Sequence, residues 1–188
     1  MSTDDHMARP MLSAEAQANL STLVPLEEVD NPVLLQGLQY WRQLAGDRKI
    51  PSRSDVTPRG LGTLLRNTTL LRVIDNGADY EYRIVGDAYV MAHGISFQGR
   101  RWSETSKLSP GYSAMIKSTY DRVVREAAAL ATKGWIERGG GRLEYIYSEY
   151  VFLPLGGEAG GVDHILVFAV YHPREKTGWT EPSGHHEA

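Results

Sequence analysis

The spacing of apolar positions changes period along this chain, and each change marks an element. From Leu143 to Leu155, and again from Val162 to Tyr171, the residues are rich in aromatic and β-branched types. Between these arms, Gly156-Gly-Glu-Ala-Gly-Gly161 has no apolar period at all. Two long paired strands joined by a glycine-dense turn are the expected outcome. In the second arm Ile165 to Tyr171 is apolar at successive positions, so this strand is expected inside a sheet covered on both faces, with helix on one of them.

Upstream, residues 1–29 show little sustained periodicity and read as a flexible segment in which Ser13 to Leu23 forms at most a short amphipathic helix. Asn31 is placed to cap a helix and Pro32 to open it. Leu34, Leu38, Trp41 and Ala45 then recur at helical spacing until Gly46. After the polar connector Arg48 to Pro58, a short helix carries Leu61, Leu64 and Leu65. The period then shortens to two. Thr68 to Ile74 and Tyr80 to Val85 read as strands flanking the turn Asp75-Asn-Gly77. Asp87 to Gly94 reads as a short helix, and Phe97 to Lys107 as a loop holding Arg100-Arg101-Trp102.

Ser109-Pro110 opens the longest helix, where Met115, Ile116, Tyr120, Val123, Ala127 and Leu130 repeat at steps of three and four and Gly134 stands where a cap belongs. Trp135 to Arg138 then passes through three glycines into the strand beginning at Leu143. The order of helices, strands, helices and strands predicts an α+β fold, a single antiparallel sheet with helices segregated from it. Residues 30–172 form the domain, and 173–188 read as a flexible tail.

Composition narrows the function classes. The chain has 188 residues, 41% apolar and 23% charged, which suits one soluble globular domain. A net charge of -3 offers no electrostatic reason to expect nucleic acid or an anionic membrane as partner. The absence of cysteine excludes disulfides, thiolate metal sites, iron–sulfur clusters and a cysteinyl-flavin photosensor. No apolar run approaches the ~20 residues that cross a bilayer, and the first residues lack the pattern of a signal peptide. A cytoplasmic location is therefore expected.

One set of residues carries a family likeness. Tyr40-Trp41, Arg48, Pro51-Ser-Arg53-Ser-Asp55, Pro58, Leu64-Leu65, Tyr82-Arg83-Ile-Val-Gly86, Gly99-Arg100 and Leu153-Pro154-Leu155 stand in an order and spacing that resemble the PAS-like family of proteobacterial proteins first catalogued as a domain of unknown function. The resemblance covers Pro32 to Tyr171. It implies a five-stranded antiparallel PAS sheet in the order 2-1-5-4-3, a long helix across the inner face, and a sensory or regulatory role in bacterial signalling. The family brings no catalytic motif.

With the long helix on the inner face, Met91, His93, Met115, Ile116, Tyr120, Tyr147 and Phe168 are the candidate ligand-binding residues. His93 has the residue type of an axial haem ligand, but a partly exposed histidine at a helix end is the commoner reading, and no cofactor or metal is expected. Arg100-Arg101-Trp102 has the chemistry to grip a phosphate or stack on a base, although a charged turn is more usual. His172 with Glu175 and the pair His185-His186 only superficially resemble metal-ligand spacings. Gly111-Tyr-Ser113 begins like a nucleophile elbow but lacks the closing glycine. The reading is a non-enzymatic sensory domain that binds a small ligand, a signalling partner, or both. The alternative is a small cone-shaped α+β enzyme, an isomerase or hydrolase, which needs an acid or base inside the cavity. Because the long helix covers one sheet face only, Leu34, Leu38 and Trp41 are expected to hide the other, in a homodimer built on that helix.

Overall fold

The computed structural model describes residues 21–108, 110–138, 144–156 and 161–172. Asn31 caps the first helix, α1 (Pro32–Ala45), its side-chain oxygen accepting from the Val33 amide at 3.0 Å, with Pro32 at the position where a missing N–H costs nothing. A short helix α2 (Pro58–Leu61), capped by Thr57, leads into strands β2 (Thr68–Ile74) and β3 (Asp79–Val85). Their turn is left-handed at Asp75, Asn76 and Gly77, which suits the residue types there. Helix α3 (Asp87–His93) closes on left-handed Gly94. A single turn, α4 (Trp102–Thr105), follows and is regular helix where the sequence reads as loop.

The long helix α5 (Pro110–Glu126) ends eight residues before Gly134. Ala127 has φ +45°, and from Leu130 the chain is strand β4 (Leu130–Arg138), so Leu130 and Gly134, read from sequence as the last turn and cap of the helix, belong to the sheet. Leu130 lies at the overlap of two patterns, since it continues both the helical spacing before it and the alternation Leu130, Thr132, Gly134, Ile136 after it. Strands β5 (Glu144–Gly156) and β6 (Val162–His172) complete the order.

All pairings are antiparallel, and a strand outside the sequence reading joins them. Thr22–Val24, called β1 here, pairs with β4 from Thr22 opposite Lys133 to Val24 opposite Ala131, and gives a six-stranded sheet in the order β1-β4-β5-β6-β2-β3. Part of the segment read as flexible is thus an edge strand; the remainder of the proposed short helix and the whole of the tail lie outside the described residues. Setting β1 aside and numbering the other strands from Thr68, the order is 2-1-5-4-3, as the resemblance implies.

Each sheet face is covered. On the inner face Leu71, Tyr80, Tyr82, Tyr150, Phe152, Ile165 and Val167 pack with Ile116, Tyr120 and Val123 of α5 and with Tyr89 of α3. On the outer face Leu34 and Leu38 of α1 pack with Leu70, Val151, Leu153, Leu155, Leu166 and Phe168. Leu34 and Leu38 are only 1% and 2% exposed, so these two residues of the stripe cover the chain's own sheet. Burial of each such leucine stabilises by about 1.5–3 kcal/mol. Gly37 lets the helix sit this close, because a Cβ there would lie 2.3 Å from the Phe168 ring.

Candidate ligand-binding interior

The inner face is built from rings. Period-two alternation sends Tyr80 and Tyr82 of β3, Tyr150 and Phe152 of β5, and Tyr171 of β6 to the same side, while α5 supplies Tyr120 from above. Tyr80 lies 5.0 Å from Tyr120 between ring centroids, Tyr120 lies 6.0 Å edge-on from Phe152, and Phe152 stacks on Tyr150 at 5.5 Å. At the other end α3 delivers two more rings. Tyr89 and His93 stand one helical turn apart, so both face the sheet. Their rings stack at 4.2 Å and 25°, bounded edge-on by Tyr171 and Phe97. Tyr82 closes the box, 6.5 Å from Tyr89 and 5.6 Å from Phe97.

The interior is polar without being charged. Burial pushes the Tyr82 phenol up to about 12, and drives those of Tyr120 and Tyr171 well above the ordinary range. Tyr82 and Tyr120 share a hydrogen bond. Among the described residues the buried polar side chains are threonines, serines, tyrosines and His93, with no aspartate, glutamate, lysine or arginine. Charge begins at the rim, where Tyr80 donates to Asp121 Oδ1 at 2.6 Å and Lys117 Nζ reaches both carboxylate oxygens at 2.9 Å. A cleft of ≈ 390 Å³ runs between α3 and the ends of β5 and β6, lined among others by Met91, Ala92, Ile146 and Tyr171. A larger one of ≈ 650 Å³ lies on the outer side of α5, with Trp102, Lys117 and Arg125 in its walls.

The candidates from sequence separate in space. Ile116 and Tyr120 belong to the interior, and Met115 packs at its margin. His93 is 7% exposed, and so is an interior ring rather than a partly exposed helix end. Met91 is 68% exposed and points to the cleft, since the helical turn that buries Ala92 and His93 carries it outward. Phe168 is fully buried on the opposite face against α1, because its strand neighbours Val167 and Ala169 take the inner positions. Tyr147 also lies on the outer face, edge-on to Trp135 and His172. His172 Nε2 is 2.6 Å from Glu149 Oε1. Tyr89 and Tyr171 are interior rings that the sequence candidates leave out; the i,i+4 spacing of Tyr89 with His93 is the available signal for the first.

The residues that carry the family likeness act as fasteners. Trp41 Nε1 donates to the Pro154 carbonyl at 2.8 Å, tying α1 to β5. Arg48 bonds Asp55 at 2.7 Å, and this hydrogen bond, with that from the Ser52 amide, holds the Asp55 carboxyl below its usual range. The Gly156 amide donates to Pro51 at 2.8 Å, so the connector is stitched to the end of the same strand. A family model described as PAS domain matches residues 29–169. The chain belongs to the PAS domain family. This PAS chain has no match among curated proteins. Among solved structures it is similar to an RNA-binding light-oxygen-voltage receptor, at 16% identity and TM-score 0.41 over 81% of this chain, of which it spans only 38%. It is also similar to a sensory box sensor histidine kinase from Vibrio cholerae, at 16% identity and TM-score 0.39, covering 60% of this chain and 90% of that one. A light-oxygen-voltage domain studied with a flavin analogue matches at 10% identity and TM-score 0.43, covering 62% and 84%.

Proposed function

We propose that this PAS domain is a non-enzymatic sensory module of a signalling system, and that it binds a small molecule noncovalently between the inner sheet face and helices α3 and α5. The observation that supports this reading is the ring-lined interior described above, flanked by a cleft and joined to α5 through Tyr120 and the Tyr80–Asp121 bond. A ligand that shifted these rings would move α3 and α5 relative to the sheet, and a signalling partner would read that shift. Native mass spectrometry of the protein purified from its own host tests the reading. A retained noncovalent small molecule is expected; a covalent adduct, or protein without any ligand under conditions where signalling is active, would overturn it.

The burial of His93 favours a second reading, the small α+β isomerase or hydrolase. Imidazole is the side chain best suited to move protons near neutral pH, and here it faces the interior. Against it, the buried phenols are held neutral, and no described buried carboxylate is available to orient an imidazole for base catalysis. Turnover of any compound by the pure protein, abolished by His93→Gln in a folded variant, would establish the enzyme.

A further inference from the structure

The chemistry of the interior restricts what it accepts, and the argument rests on the proposed reading of that interior as a ligand site. Two observations define the restriction. First, the buried described residues include no side chain of fixed charge, so a phosphate or carboxylate carried inside would leave water with no counter-charge to meet it. Second, the interior already holds a pair of stacked flat rings, Tyr89 and His93, in a box whose other walls are Tyr82, Phe97 and Tyr171.

The walls of this box differ in how firmly they are held. Tyr171 stands on β6, where its neighbour Val170 pairs with Glu149 of β5, and Tyr82 stands on β3, paired with Leu71. Moving either breaks ladder hydrogen bonds. The stacked pair, by contrast, stands on the seven residues of α3, which end at the left-handed Gly94 and border the ≈ 390 Å³ cleft. α3 carries no ladder bond of the sheet, so it yields at less cost to the sheet than either Tyr171 or Tyr82.

We infer that the interior takes a neutral, planar aromatic molecule of one or two rings, of the phenol, indole or aromatic amide class, which replaces the Tyr89–His93 stack in its box as α3 moves aside. The ligand then meets the ring edges of Tyr82, Phe97 and Tyr171 that now meet the stacked pair, and its polar substituent meets phenol hydroxyls. Flavin nucleotides and haem fall outside the class: their phosphate or carboxylate groups find no counter-charge in the box and would have to stay outside it, at the cleft that Arg66 borders.

Isosteric pairs that differ in charge provide the test. Benzamide against benzoate, and indole against indole-3-carboxylate, are titrated into the full chain at pH 7.5, followed by calorimetry and by the ring resonances of Tyr89 and His93, with amide hydrogen exchange reporting on α3. The neutral member of each pair is expected to bind at least tenfold more tightly, to shift both rings, and to speed exchange in α3. Equal or tighter binding of the anion, or of flavin mononucleotide, overturns the ligand class while leaving the interior a ligand site. Binding that leaves both rings unshifted, as at the cleft beside Trp102, overturns the placement. If no probe binds, the class is overturned, and native mass spectrometry of host-purified protein decides separately whether the interior is a ligand site at all.

Discussion

The imidazole of His93 lies on the phenol ring of Tyr89, 4.2 Å between centroids and 25° between planes, and both are buried beneath the inner sheet face. An aromatic pair of this kind contributes about 0.5–1.5 kcal/mol beyond area burial, and removal of a buried ring leaves a cavity besides. His93→Ala is expected to cost about 1.5–3 kcal/mol, read from the midpoint of urea unfolding at unchanged slope. A change below about 0.5 kcal/mol, the usual size for surface positions, would place His93 outside the core.

Leu38→Glu distinguishes an intramolecular from an intermolecular role for α1. Leu38 packs on Leu153, Leu166 and Phe168 of its own sheet, so a carboxylate there is buried without a partner. The variant is expected to lose about 3 kcal/mol or more and to unfold in the same transition, as followed by circular dichroism. A folded variant with only a smaller sedimentation coefficient would instead show that the leucine faces a second copy.

Trp41→Phe keeps most of the apolar contact and removes the indole N–H that reaches the Pro154 carbonyl. A loss of about 1–1.5 kcal/mol is expected, the usual net worth of one such bond plus the part-buried acceptor left behind. An unchanged thermal midpoint would mean that water replaces the indole without penalty.

Gly37→Ala ordinarily favours a helix by about 1 kcal/mol. Here the added methyl would stand 2.3 Å from the Phe168 ring, and α1 would have to lift from the sheet. The substitution is expected to destabilise by about 1–3 kcal/mol, as overpacking does. Stabilisation on denaturant titration would show that the ring moves freely aside.

Alkaline stability follows from the phenols. Tyr82, Tyr120 and Tyr171 keep their protons in the folded state to higher pH than in the unfolded chain, so their contribution is complete below about pH 10 and is lost as pH rises, through about 12 for Tyr82. Above pH 10 the unfolded state binds fewer protons and stability falls, by up to about 4 kcal/mol per pH unit when three such groups act together. Unfolding between pH 10 and 12, with tyrosinate absorbance appearing together with loss of secondary structure, is the expected result. Tyrosinate absorbance rising fully at pH 10 in folded protein would contradict the burial of these rings.

Much of the fold was legible because local chemistry repeats at a fixed period. Asn31-Pro32 opens α1, Asp75-Asn-Gly77 turns the chain between β2 and β3, and the doubly apolar run Ile165 to Tyr171 required covers on both faces, which α1 and α5 supply. Alternation also pairs Tyr80 with Tyr82 and Tyr150 with Phe152 on one face. Period alone could not say which face belongs to which helix. Phe168 and Tyr147 fell on the side of α1 because register with neighbouring strands decides direction, and a shift by one residue would exchange the faces. The Thr22–Val24 strand has too few residues to show a period, and it exists only because β4 leaves an edge for it to pair with. The i,i+4 spacing of Tyr89 and His93 puts both rings on one side of α3, but the box around them, built from Tyr82 of β3, Tyr171 of β6 and Phe97 of the connecting loop, came from tertiary packing: contacts between residues distant in the chain leave no spacing for a sequence to display.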